Sequence, residues 1–198
     1  MVGKLHKARA KHEAGHAVIA RKFGLHVACV DARGDEANAT IASAGYAADP
    51  NDVAAQIAGY EKDAIVALAG TETNRRDHPD LRVFDILTEQ GDWDTQEARS
   101  AICRMGCLMK GQPVPEGKIN LDEAAQELIC QIYFRLLRET AELVERHWPA
   151  IERVGKHLER HGRIDTQNQL DDLIERAERM ALLSGESPSR IARRDRGP

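Results

Sequence analysis

The sequence predicts a mainly α domain with a small β-hairpin or sheet after its first helix. Apolar residues recur with a 3.6-residue period through most of the chain. Only 4% of residues are aromatic against 42% hydrophobic, and alanine is frequent, a composition suited to closely packed helices. Two short runs, residues 26–31 and 39–46, read instead as strands on either side of an Arg33-Gly34-Asp35 turn. With 198 residues the chain can bury a real core. Residues 1–183 are expected to form one domain, and residues 184–198, rich in Ser, Pro and Arg, a mobile tail.

The first helix is predicted over residues 4–23. Leu5, Ala8, His12, Gly15, Ile19 and Phe23 share one face, and Gly24 supplies a stop. After the strands, Asp49-Pro50-Asn51-Asp52 starts a second helix with Val53, Ile57, Tyr60, Ala64, Ala67, Leu68 and Thr71 on one face. That helix must end before His78-Pro79, because a residue preceding proline avoids helical backbone. A short helical piece is expected over residues 81–87. Gly91-Asp92-Trp93-Asp94 reads as a turn into a third long helix, whose stripe is Asp94, Ala98, Ala101, Met105 and Leu108. Gly111, Pro113 and Pro115 break it. Asn120 with Glu123 matches a capping box for a helix carrying Leu121, Leu128, Ile132, Leu136, Leu143 and Trp148. Pro149 interrupts that helix. Ile151, Val154 and Leu158 continue the stripe to His161-Gly162, and a last helix spans residues 166–183.

The chemistry concentrates in His12-Glu13-Ala14-Gly15-His16. Positions i and i+4 of a helix lie on one face, roughly 6 Å apart along the axis. Two imidazoles so placed can reach one zinc ion at about 2.0–2.1 Å each. Glu13 is rotated roughly 100° from His12. It cannot easily join the same coordination sphere, but it can take a proton from water that the ion activates. The apolar period turns both histidines inward, where buried imidazoles need partners.

A catalytic zinc usually has three protein ligands and one open position. Spacing alone leaves the third ligand open among Asp77, His78, Asp80, Asp85, Asp92, Asp94 and the later histidines. Cys103 and Cys107, at i and i+4, could bind a metal in principle, but read better as small buried hydrophobes.

Other features bound the function. A formal charge of −4 gives no electrostatic case for nucleic acid as the main partner. No run approaches about 18 apolar residues, so no membrane span is predicted. The basic N-terminus lacks the apolar stretch of a secretory signal. Four cysteines without a CxxC pair fit a reducing, cytoplasmic setting.

The chain resembles the peptidase domain of the FtsH-type zinc metallopeptidases, over about residues 1–175. That family carries HEAGH on its first peptidase helix, as here at residues 12–16. A strand pair follows, then a helix ending in an Ala-Leu-Gly-Gly-like segment, matched by Ala67-Leu68-Ala69-Gly70. The family's third zinc ligand is an Asp heading a later helix in a setting like Asn-Asp-x-x-x-Ala. Here that place is taken by Trp93-Asp94-Thr95-Gln96-Glu97-Ala98. The resemblance implies a helical metallopeptidase domain with Zn2+ on His12, His16 and Asp94, Glu13 as general base, and a peptide or protein as substrate. In the family a strand after HEAGH holds extended substrate; residues 39–46 would play that part.

Two departures narrow the expectation. The family's Arg-x-x-Glu-Glu character after the second glycine is replaced by Thr71-Glu72-Thr73-Asn74-Arg75-Arg76. The sequence also has no GxxxxGK[ST] loop, so folded substrates would need a separate unfoldase. The family's hexameric rings raise a homo-oligomer packed through the helices after Asn120. Two alternatives stand beside the endopeptidase: a catalytically weak zinc-binding regulatory module, and a repressor-cleaving protease of the ImmA/IrrE kind, whose third ligand comes from a different helix context.

Overall fold

A computed structural model describes residues 2–33, 37–78, 91–112, 114 and 123–184. The chain is mainly helical with a small antiparallel sheet, as the sequence predicts. In order, the elements are α1 (Val2–Lys22), β1 (Val27–Asp31), β2 (Asn38–Ile41), α2 (Ala44–Ala47), α3 (Val53–Asp77), α4 (Gly91–Met109), α5 (Glu123–Arg146), α6 (Trp148–His161), β3 (Arg163–Ile164) and α7 (Gln167–Leu183). The short helix expected over residues 81–87 and the Asn120 cap lie outside the described residues. So does the tail from residue 185. No helix among the described residues is long and apolar enough to cross a membrane.

α1 is the centre of the fold. It packs against α3 and α6 and touches β1 and β2. Every residue from Ala10 to Ala20 is buried, not only the predicted stripe. Alanine and glycine make this possible, because small side chains let neighbouring helices close on several sides at once. α3 also packs against α4 and α5, and α7 against α6. Ile19, Ile65, Ile102, Met105, Leu136, Ile151 and Leu158 fill the space between these helices.

Local signals account for most element ends. Gly24 (φ 75°) and Gly162 (φ 76°) adopt left-handed backbone, closing α1 and α6. Asp52 caps α3, accepting from the Ala55 amide at 2.9 Å, and His78 is the C-cap, so the helix does stop before Pro79. Pro149 sits in the first turn of α6, where its missing amide costs nothing, and α5 ends at Arg146. Thr166 caps α7.

Three expectations need correction. The second strand ends at Ile41, and residues 44–47 form the short helix α2. The cause is a distant carboxylate. Asp63 of α3 accepts from Ser43 Oγ and from the amides of Ala44 (2.7 Å) and Gly45 (2.9 Å), which caps a helical turn. Gly45 also seats directly on Tyr60, whose ring carbon would lie 2.2 Å from a Cβ there. Next, residues 91–94 are not a turn but the opening of α4. Finally, a third strand, β3, pairs with β1 to give the order β2-β1-β3. It is only two residues long, too short for periodicity to reveal. Asp31 anchors it, facing Arg163 in register and pairing with that guanidinium at 3.2 Å. Arg33 and then Arg163 hold the Asp31 carboxyl well below the usual carboxylate range.

Candidate metal centre

The crossing of α1 and α3 builds the site. The two helices run antiparallel and nearly touch, because glycines face the partner on each. A Cβ on Gly15 would lie 2.3 Å from Thr73 Oγ1 and 2.9 Å from the Ala69 carbonyl oxygen. A Cβ on Gly70 would lie 2.3 Å from His16 Nε2 and 2.6 Å from His12 Nε2 and Cε1. Successive turns of α3 therefore meet the histidines in order. Val66 lies beside His16, Gly70 beneath both rings, and Asn74 beside His12.

These contacts set the imidazoles. His16 Nδ1 is 2.7 Å from the Val66 carbonyl oxygen, which can only accept, so the proton is on Nδ1 in this bond. Its Nε2 faces the site. His12 Nδ1 is held by the Asn74 side-chain amide at 3.0 Å. The rings meet edge to face with centroids 4.7 Å apart, and their Nε2 atoms are 3.1 Å apart.

Asp94 enters from the first turn of α4. Its Oδ2 lies 2.8 Å from His12 Nε2 and 3.2 Å from His16 Nε2. Three donor atoms thus form a triangle with edges of 2.8–3.2 Å. Tetrahedral ligands about 2.0–2.1 Å from one zinc are separated by roughly 3.3 Å. The triangle, its two-nitrogen and one-oxygen chemistry, and the outer hydrogen bonds on both rings all fit a divalent transition metal.

The electrostatics agree with a site that wants a cation. Burial alone would suppress the His16 charge, but the Asp94 carboxylate and then Glu13 outweigh it and push the imidazole up to about 9. Asp94 moves the opposite way: burial disfavours its charge, yet His16 and His12 hold it well below the usual carboxylate range. Glu13 is 4% exposed and lies outside the triangle. Burial raises its pKa, against the pull of His16 and His12.

The triangle opens onto a cleft of about 600 Å3. His12, Glu13, His16 and Asp94 line one wall, Asn38, Ala39 and Ile41 of β2 another, and Trp93, 72% exposed, stands at α4. β2 is an edge strand of the sheet.

The other sequence candidates are placed elsewhere or not described. Asp77 is paired with Lys11, and His78 ends α3 beside Asp77. Asp80, Asp85 and the Asp92 side chain lie outside the described residues. Of the later histidines, His147 neighbours Glu178, and His157 stacks on His161. Cys107 is buried and Cys103 half-buried. Among the described residues, no other three metal-capable side chains converge. Sequence reasoning missed Asn74, although its position four residues after Gly70 puts it on the same face of α3, one turn on. No protein-family model matches this chain, and no curated protein matches it.

Proposed function

We propose that this chain is a zinc-dependent metalloendopeptidase with a centre similar to that of the FtsH-type proteases. The supporting observation is a buried carboxylate, Glu13, sharing a cleft with a His12, His16 and Asp94 triangle of ligand spacing. A structural zinc site is closed by four ligands and has no use for an open cleft beside it.

A zinc ion there would supply Lewis acidity, lowering the pKa of water to about 7 and stabilising charge on the scissile carbonyl oxygen. His12, His16 and Asp94 would hold it, and with a single carboxylate among the ligands it would stay net positive. Glu13 takes the proton from the attacking water and passes it to the departing amine. Burial raises the Glu13 pKa, which makes its carboxylate a stronger base toward that water. β2 contributes an edge whose outer backbone groups can pair with an extended peptide laid along the cleft. Such pairing selects chain that is already unfolded: peptides, tails or exposed loops. The four free cysteines suit a reducing cytoplasm.

A quenched-fluorescence peptide library tests the reading. Cleavage is expected with zinc, lost on chelation, and restored by one equivalent of the metal. Absence of zinc-dependent cleavage of every peptide overturns the reading in favour of a binding module.

A further inference from the structure

Asn74 holds His12 in a way that has a definite consequence for metal binding. Its side-chain amide lies 3.0 Å from His12 Nδ1, with Nδ2 toward the ring and Oδ1 buried without a hydrogen-bond partner. A buried carbonyl oxygen left so carries an uncompensated desolvation penalty. An amide can turn over with almost no change in shape, exchanging its oxygen and nitrogen.

The two orientations dictate two tautomers. With Nδ2 toward the ring, His12 Nδ1 must accept, so the proton of the neutral ring sits on Nε2. That proton then points into the triangle, at Asp94 Oδ2 only 2.8 Å away, and blocks the nitrogen as a ligand. With Oδ1 toward the ring, the oxygen gains a donor, Nδ1–H, and His12 Nε2 presents a bare lone pair. Two acceptors, Nε2 and the Asp94 carboxylate, then face each other at 2.8 Å. Such a contact is repulsive unless a positive charge lies against both. The turned amide and a bound cation therefore stabilise each other.

His16 has no such freedom, because its partner is the Val66 main-chain carbonyl. The ligand competence of His12 rests on a replaceable side chain. We infer that Asn74 is a positioning residue for the metal centre: its amide oxygen accepts from His12 Nδ1–H and aims the Nε2 lone pair at the ion. This rests on the metal centre of the proposed function and adds to it the residue that sets one ligand. It also makes the outer partner of His12 a neutral amide, so the centre keeps more of its positive charge than one backed by a carboxylate.

Zinc affinity measured by chelator competition tests this in wild type, Asn74→Leu and Asn74→Asp, with thermal melting to confirm folding. Leucine matches the shape but cannot accept; aspartate can. The expected result is a loss of about 10–100-fold for Asn74→Leu. Asn74→Asp should bind zinc at least as tightly as wild type. If the residue only packs, both variants lose affinity alike or neither does, and either outcome overturns the inference. Wild type that binds zinc but cuts no peptide removes the peptidase reading and leaves this inference standing. Asn74→Leu that binds zinc as wild type does removes this inference and leaves the peptidase reading standing. No zinc uptake by wild type removes both.

Discussion

Replacing Glu13 with Gln is expected to lower zinc-dependent peptide cleavage by about 10²–10⁴-fold, the usual contribution of a positioned general base. Zinc binding should stay within a few-fold of wild type. The separation follows from position. Glu13 lies beside the triangle but supplies none of its three converging atoms. Glutamine keeps the size and most of the hydrogen-bonding capacity of the buried side chain, so α1 should fold as before. It has no carboxylate to receive the proton of water. Steady-state kinetics with metal content measured on the same sample check both halves. A variant that keeps full activity removes the proposed base; one that loses its zinc makes Glu13 a ligand after all.

Gly70→Ala is expected to lose zinc binding by at least about 100-fold and to lower the melting temperature. In an exposed mid-helix position this change would stabilise the protein by about 1 kcal/mol, because alanine is the better helix former. Here the new methyl would sit 2.3 Å from His16 Nε2 and 2.6 Å from His12 Nε2. The rings cannot swing clear, since Val66 and Asn74 hold their far nitrogens. Overpacking of this kind costs about 1–3 kcal/mol, which outweighs the helix gain. Gly106→Ala is the control. A Cβ there would meet Ile129 Cγ1 at 3.4 Å, an ordinary contact, so the helix gain should prevail and zinc binding should not change. Melting curves and zinc titrations on the two variants check the contrast. Equal behaviour would mean that the close approach of α3 to the histidines is not what shapes the site.

What the sequence revealed and what it hid divide along one physical line. Most of what is set within a turn or two of helix was legible, the start of α4 at residues 91–94 being the exception. The i, i+4 histidines, the Gly24 and Gly162 stops, the Asp52 and Thr166 caps and the Pro149 break all follow from local rules, and the structure has each. Features set by contact between distant segments were not legible. α2 depends on Asp63 reaching back 18–20 residues to cap it. β3 exists because β1 offers it an edge and Asp31 an ion pair. Asp94 stands 78 residues from His16, and spacing could not choose it over its neighbours; only the order of family-like segments pointed there. Asn74 was visible only as a departure from that family pattern. Its role emerges once α3 is laid antiparallel on α1, which turns its distance from Gly70 into a contact with His12.

Everything proposed for this chain depends on one ion held by His12, His16 and Asp94. X-ray diffraction recorded above and below the zinc absorption edge, on crystals grown with zinc, tests it most directly. One strong anomalous peak is expected within about 2.0–2.2 Å of both Nε2 atoms and an Asp94 carboxylate oxygen. No peak in that triangle, or a peak held by other side chains, would contradict it.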